Sequence, residues 1–472
     1  MKTFFSKFIG DRKFYRMVLL IAVPIMIQNG ITNFVSLLDN IMVGQVGTNQ
    51  MSGVAIANQL MFVYNLCIFG GMSGAGIFGA QFFGQGNNDG LRYVFRFKLV
   101  IGFVITAIAT VFLSMFGESL ISLYLDEGNT AAANAETLYY GMQYLHIMLV
   151  GLLPFVVVQI YASTLRETSE AVLPMTAGII AVFVNLVLNY LLILGNCGFP
   201  ALGVQGAAIA TVTARFVECF IVVIWTHRHK ERNPYIAGVY KSLQIPGDLM
   251  NRIIKKGTPL LVNEALWSLG MATLLQCYSV RGLAVVAGMN ISNTIINLFN
   301  VVFLALGNSV AIVVGRLLGA GQMEEARDTD RKLIAFSVIS CVFIAAVAIL
   351  FAPLFPKLYK TEAEVKALAT SFIIIAALYM PQNAFLHAAY FTLRSGGKTI
   401  ITFLFDSGFM WCITIPLALV LSRFTGFSIQ VVYAMCQGIE ILKCIVGFIL
   451  LKKGIWLQNI VETEEKTAKA AE

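Results

Sequence analysis

Apolar stretches of roughly twenty residues follow one another along nearly the whole 472-residue chain, and no other feature restricts its fold as much. A run of that length is what an α-helix needs to cross the hydrocarbon core of a bilayer. In lipid every backbone N–H and C=O must be satisfied within the segment, so repeated long runs imply helices. Twelve are expected, the first at about 15–38 and the last at about 428–451. Charged residues make up 12% of the chain, half the share of about 25% found in soluble domains. The chain therefore reads as an all-α integral membrane protein.

The net charge of +8 could suggest a nucleic-acid partner, but its placement argues against one. With a cytoplasmic N-terminus and twelve alternating runs, 26 of the 33 Lys and Arg fall inside and 5 outside, while Arg215 and Lys443 lie within runs. That asymmetry is the positive-inside pattern, so the basicity orients the chain in a lipid bilayer. Both termini are expected to be cytoplasmic, in a multi-pass protein of the cell membrane. The expected organisation is a cytoplasmic N-terminus at 1–13, an N-lobe at 14–225, a cytoplasmic linker at 226–256, a C-lobe at 257–451 and a cytoplasmic tail at 452–472. The first apolar run is long and lacks a small-residue cleavage site, so no cleavable signal peptide is expected. Eight cysteines show neither a CxxC nor a Cys/His ligand spacing, and neither a disulfide framework nor a metal centre follows from them.

The chain is also doubled. A shift of 235 residues takes Pro24 onto Pro259, Gly53 onto Gly288, Asn58 onto Asn293 and Asn65 onto Asn300. It also takes "GQGN" at Gly84–Asn87 onto "GAGQ" at Gly319–Gln322. A shift of 228 takes "TLR" at Thr164–Arg166 onto "TLR" at Thr392–Arg394, and Arg215 onto Lys443. Six runs per half is an even number, so both halves enter the membrane in the same orientation. Such parallel repeats are related by an axis along the membrane normal, with the substrate path between them.

Polar residues inside the runs are arranged rather than scattered. In "NGITNFVSLLDNIMVG", Asn29, Thr32, Asn33, Ser36 and Asn40 recur every three or four residues and lead to Asp39. At 3.6 residues per turn they share one helix face. Asn58 and Asn65 are seven apart in the second run; Asn290, Asn293, Thr294, Asn297 and Asn300 form a file in its repeat partner. Asn185 and Asn189 stand at i, i+4, and Thr211 and Thr213 follow in the sixth run. Polar contacts between helices explain one or two amides per run; whole files on several runs fit a water-filled cavity in each half better. A charged Asp at the bilayer centre costs about 2.5–3.5 kcal/mol on insertion scales, so Asp39 needs a reason to be there. Exchanging a proton is such a reason. Glu264, with Asn263 and Ser268 beside it, is a second intramembrane carboxylate. Arg215 and Lys443 each have an acid three residues away, Glu218 and Glu440, and read as ion pairs on one helix face. His387, four residues after Asn383, reads as a hydrogen-bonded interior residue.

"GAGIFG" at Gly74–Gly79 matches GxGxxG, but no strand precedes it, and close helix packing through small residues accounts for it. No HExxH, GxSxG, Walker A or DDxxD motif is present, so neither ATP hydrolysis nor common membrane enzymology has a foothold. The chain is not expected to be an enzyme or to carry a cofactor, and an ion gradient is the expected driving force.

"PIMIQNG" from Pro24, "LLDNIMVGQVG" around Asp39, and the paired "GQGN"/"GAGQ" and "TLR" loops resemble the MATE family of multidrug and toxic compound extrusion transporters. The resemblance covers about residues 10–455. It implies a V-shaped pair of six-helix lobes exporting small organic cations or drugs by cation-coupled antiport, and a protein acting as a monomer. It implies that Asp39 is the N-lobe proton-binding carboxylate, with Asn185 and Thr211 as its hydrogen-bonding neighbours; Asn189 stands where several relatives have Asp. In the C-lobe it matches Glu264 and Tyr379 to the cation site of a sodium-coupled branch, with Asn383 replacing that branch's Asp. The coupling ion, H+ or Na+, is expected to be the proton. A sodium ion, if one binds, belongs near Glu264 or Asp39. Asn33, Ser36, Asn58, Asn65, Asn293, Asn297 and Asn300 are the expected cavity-lining residues. A lipid-linked oligosaccharide flippase of the same superfamily is the alternative, though two extra spans and a more basic cavity are missing; a membrane-embedded enzyme is more distant.

Overall fold

The computed structural model describes residues 8–125, 130–359 and 361–462, except for the side chains of residues 35–41. The first half contributes α1 (Arg12–Gly44), α2 (Thr48–Gln85), α3 (Asn88–Ser122), α4 (Ala131–Val150), α5 (Leu152–Glu167), α6 (Val172–Leu192) and α7 (Val204–Arg228). The second half contributes α8 (Gly247–Ser279), α9 (Leu283–Gly319), α10 (Met323–Phe351), α11 (Ala363–Ser395), α12 (Thr399–Phe424) and α13 (Ile429–Lys453). Among the described residues eleven helices are long and apolar enough to cross a membrane, and the pair α4–α5, bent by 48°, brings the number to twelve. The bend has a cause in the sequence. Pro154 lacks an N–H and its ring crowds the carbonyl of Val150, four residues back, so the helix breaks at Gly151 and starts again at Leu152.

Large apolar side chains are exposed along the helices, as at Ile108, Val111 and Met115 of α3 and Phe343 and Leu350 of α10. In water such surfaces would drive aggregation. Against lipid tails they are the expected outer coat.

The chain divides into two compact units, one holding Ile27–Gly79 and Asn88–Asn251. The other combines α1 as far as Met26 and the segment Ala80–Asn87 with everything from Arg252 onward. In this second unit Val18, Ile21, Ala22 and Ile25 form an i, i+3, i+4, i+7 stripe buried against Leu306, Val310 and Val313 of α9 and Leu386 and Tyr390 of α11. Further along the same helices a separate core gathers Met289, Phe303, Cys341, Phe372 and Tyr433.

The repeat is visible in how helices end. Gly86 (φ 77°) and Gly321 (φ 74°) occupy the left-handed region just after α2 and α9. The N–H groups of Gly86 and Asn87 donate to the carbonyls of Phe83 and Phe82; those of Gly321 and Gln322 donate to Leu318 and Leu317. Both ends are the same glycine-dependent cap, which accounts for the second glycine of each four-residue motif. The two TLR segments end alike, with Ser169 (φ 68°) in one and Gly397 (φ 71°) in the other.

Between the halves, residues 229–246 are seated on the first unit rather than hanging free. Tyr235, Ile236 and Val239 are buried there. Arg92 donates to the carbonyl of Tyr235, and Arg96 donates to those of Val239, Gly238 and Gln244. These guanidiniums at the start of α3 satisfy backbone groups that a loop would otherwise leave to water.

Candidate functional site

In the first unit Asn185 and Asn189 lie one turn apart on α6 and face α7. The side-chain amide of Asn189 donates to Asn185 Oδ1 (3.1 Å), and Asn185 donates in turn to Thr211 Oγ1 (3.1 Å). Both asparagines are buried. The three residues marked by their spacing and by the family resemblance thus form one chain of neutral donors and acceptors. Asp39 and Ser36 lie on α1, with side chains outside the described residues. Asn33 is exposed. Asn58 accepts from the Tyr144 hydroxyl (3.2 Å), tying α2 to α4, and Asn65 is half-buried one turn beyond Met61.

On α9, Asn293 and Asn297 are exposed and Asn300 is half-buried. Thr294 turns back to donate to the carbonyl of Asn290 (2.9 Å).

Glu264 is half-buried on α8, while Tyr379 and Asn383 sit a turn apart on α11. No hydrogen bond joins these three to one another. Tyr379 points toward α13, where a methyl group on Gly438 would come within 3.1 Å of its hydroxyl. The polar hub on α8 is instead the neighbouring Asn263, which is 1% exposed. Its amide donates to Asp406 Oδ2 (3.1 Å), and its Oδ1 accepts from the backbone N–H (3.2 Å) and hydroxyl (2.7 Å) of Ser407. Asn263 is the 235-residue repeat mate of Gln28, and Gln28 accepts from Arg166 (3.1 Å) in the other unit.

Asp406 escapes the file-and-spacing reading, although a lone carboxylate in the middle of the eleventh apolar run carries the same signal as Asp39. Lys443 binds it at 3.0 Å and also lies 3.4 Å from Glu440, so the expected Lys443–Glu440 pair is present with Asp406 as a second partner. Arg215 departs from expectation. No ion pair joins it to Glu218, and its guanidinium lies 4.5 Å from the centroid of the Phe155 ring, a cation–π arrangement. His387 is packed edge-on against Phe303, with centroids 4.7 Å apart, which fits the interior role expected of it.

A second unpredicted pair is Lys98 with Glu167, at 2.7 Å, the lysine side chain fully buried. Ser163 and Thr164 accept the remaining ammonium protons (3.2 and 3.0 Å). "GAGIFG" finds its reason here: methyl groups on Gly76 and Gly79 would come within 2.9 and 2.1 Å of the Glu167 carboxylate. The motif is close packing, as expected, but against an ion pair.

A family model described as MatE matches residues 24–191 and again 259–420, stretches whose starts are separated by the 235-residue repeat. Over 94% of both chains the protein is 23% identical to a probable multidrug resistance protein NorM of Thermotoga maritima. It is also 26% identical to a probable multidrug resistance protein NorM of Haemophilus ducreyi over 87% of each. Its fold superposes with a TM-score of 0.83, at 18% identity and covering 95% and 97% of the two chains, on the outward-facing structure of a multidrug resistance MATE family transporter of the MOP superfamily. A MOP superfamily transporter from Pyrococcus furiosus gives a TM-score of 0.82 at 18% identity, with the same coverage. With both halves matched in register with its internal repeat, the chain belongs to the MatE family, whose members are membrane transporters rather than enzymes.

Proposed function

We propose that the protein exports small organic cations or drugs across the cytoplasmic membrane as an antiporter, driven by protons entering the cell and without an organic cofactor. The relatives named as multidrug resistance proteins support the substrate class. The observation that carries the coupling reading is the buried Asn189–Asn185–Thr211 chain on α6 and α7. It supplies neutral hydrogen-bonding groups and no second anion, so Asp39 of α1 is the one carboxylate among the first-half residues assigned to coupling. Sodium is a hard cation that takes several oxygen ligands and gains from anionic ones; a proton needs one carboxylate.

The cycle follows from charge. Ionised Asp39 attracts a cationic substrate. A proton arriving from outside neutralises it and weakens the hold on the cation. The same logic in the second half gives Glu264, Tyr379 and Asn383 a weaker cation site, because Asn383 contributes an amide and not a charge.

Purified protein in proteoliposomes, loaded with a fluorescent organic cation, tests this. Transport should collapse with a protonophore, persist when sodium is replaced by choline, and vanish in Asp39→Asn, which keeps shape and loses charge. Transport that needs sodium and ignores the proton gradient overturns the coupling reading, and full transport by Asp39→Asn removes Asp39 from it.

A further inference from the structure

The turns around Asp406 and Glu440 are irregular at matching places. Two π-helical turns, Leu404–Gly408 and Met410–Thr414, interrupt α12, and α13 tightens by one turn at Ile439, whose carbonyl accepts from the N–H of Leu442 three residues on (3.0 Å). Such insertions in membrane helices recur where backbone and side chains serve an ion or a substrate. Asp406 sits on the first π turn and Thr414 ends the second. Thr414 donates from α12 to Glu440 of α13 (3.0 Å). Lys443 follows one turn after Ile439, 3.0 Å from Asp406 and 3.4 Å from Glu440. Trp411, on the second π turn, donates to the carbonyl of Leu266 and fixes that turn to α8 (2.9 Å).

One ammonium therefore serves two carboxylates. The neighbours do not remove the surplus. Asn263 of α8 is neutral, and Arg394 of α11 faces Glu264 of α8, so the one further cation is shared with a further carboxyl group. Tyr390 and His387 of α11 also face the group and add positive charge only if the imidazole takes a proton. Deep in a membrane helix bundle an uncompensated anion is unfavourable, and the centre needs one more positive charge.

We propose that Glu440 binds a proton, making the Asp406–Lys443–Glu440 cluster a second protonation centre in the half of the chain opposite Asp39. This deepens the proton-coupled reading above and rests on it for its role in transport. The proton falls to Glu440 because Asp406 holds the closer bond to Lys443 and also accepts from Asn263, whereas Glu440 has the longer contact and the Thr414 hydroxyl. The step is simple: carboxylate plus proton gives carboxylic acid, and the charge of the cluster goes from −1 to 0. Lys443 then belongs to Asp406 alone, and the Thr414 hydroxyl, free to rotate, can accept from the new acid. Protonation thus loosens the link between the tightened turn of α13 and the π turns of α12.

Infrared difference spectra of the purified protein in lipid, recorded between alkaline and acid pH without substrate or gradient, test this apart from transport. The wild type should show the carbonyl band of a protonated carboxylic acid that persists in Asp39→Asn and Glu264→Gln. Glu440→Gln should lose it, and Asp406→Asn should lose it too, because Glu440 then pairs with Lys443. Lys443→Gln should move its titration to higher pH, since loss of the ammonium favours the acid. Glu440→Asp, which keeps the group if Glu440→Gln fails to fold, should shift the band rather than remove it. A band unchanged in Glu440→Gln or Glu440→Asp, or a wild-type spectrum with imidazole changes and no acid band, overturns the proposal. Failure of Asp39→Asn to affect export would leave this spectrum unaltered, so the two readings fail separately.

Discussion

Gly84 lies against the carbonyl oxygen of Arg316 so closely that a methyl group on its Cα would come within 1.9 Å of it. The repeat mates reproduce the contact in reverse: Gly319 lies against the carbonyl of Gln81, again at 1.9 Å. Here the ends of α2 and α9 cross backbone to backbone, and the first glycine of "GQGN" and of "GAGQ" is what permits it. A backbone carbonyl cannot swing aside as a side chain can. Gly84→Ala and Gly319→Ala should therefore each destabilise the folded protein by about 1–3 kcal/mol, read as a lower thermal midpoint in detergent. Because both glycines belong to one crossing, the double variant should cost less than the sum. Alanine variants as stable as the wild type would show that the helix ends part easily.

The Lys98–Glu167 pair lies between α3 and α5, packed on Gly76 and Gly79. A buried pair broken at one partner leaves a stranded charge, which costs about 3–5 kcal/mol, whereas replacing both partners is often close to neutral. Lys98→Met and Glu167→Gln should each lower stability strongly in a denaturant titration, and Lys98→Met/Glu167→Leu should recover most of the loss. If the double variant is as unstable as the worse single, the pair is not the reason these residues are buried.

Tyr235 gives the linker a pH dependence. Its ring is 1% exposed and its hydroxyl has no hydrogen-bond partner. Burial, with the charges of Glu167 and Glu170 behind it, holds the phenol pKa above that of an exposed tyrosine. The folded state thus keeps a proton that the unfolded chain gives up near pH 10, and stability falls as the pH rises past that value. Tyr235→Phe should be neutral or stabilising by about 1 kcal/mol at neutral pH, since it removes an unpaired polar atom. It should also flatten the alkaline loss of stability. A steeper alkaline loss in Tyr235→Phe would mean that the fold favours the phenolate, and a variant less stable at neutral pH would mean that the hydroxyl is satisfied when folded.

Much of this was legible from the chain, for reasons that differ by element. The spans were readable because the bilayer demands one length and one composition, and even the bent α4–α5 pair falls within a single apolar run. The repeat was readable because glycines at helix ends obey backbone rules that tolerate little substitution, as at Gly84, Gly86, Gly319 and Gly321. Asn185 and Asn189 could be paired from the chain because a helix face has a period, whereas Thr211, on another helix, was matched to Asn185 only through the family resemblance. The Asp406–Lys443 and Lys98–Glu167 pairs were not, because their partners are 37 and 69 residues apart and no period links separate helices. The seat of residues 229–246 on α3 was missed for a related reason: polar, proline-containing composition looks like a tether whether or not arginines hold its carbonyls.

The end of the described chain is held by one residue from its first half. Gln81 is fully buried, and its amide donates to the carbonyls of Ser395 (2.9 Å) and Gln458 (3.2 Å) while its oxygen accepts from the N–H of Ile460 (2.8 Å). Asn459 adds a bond to the carbonyl of Gly319 (3.1 Å), and Gly396 admits the carbonyl of Trp456 where a methyl group would sit 1.9 Å away. The segment after α13 is thus fastened over the α2–α9 crossing. Gln81→Leu keeps the volume and removes all three bonds, leaving buried backbone groups unpaired at about 1–3 kcal/mol each before relaxation. The expected result is release of the segment more than global unfolding, because the apolar contacts of α13 remain. Trypsin added to the purified protein in detergent should then cleave after Lys452 and Lys453 faster in Gln81→Leu than in the wild type, while Gln81→Glu, which keeps an acceptor for Ile460 and loses the donor, should fall between them. Equal cleavage rates in all three would mean that the remaining contacts, of Trp456, Asn459 and Ile460, anchor the segment and that Gln81 is incidental to it.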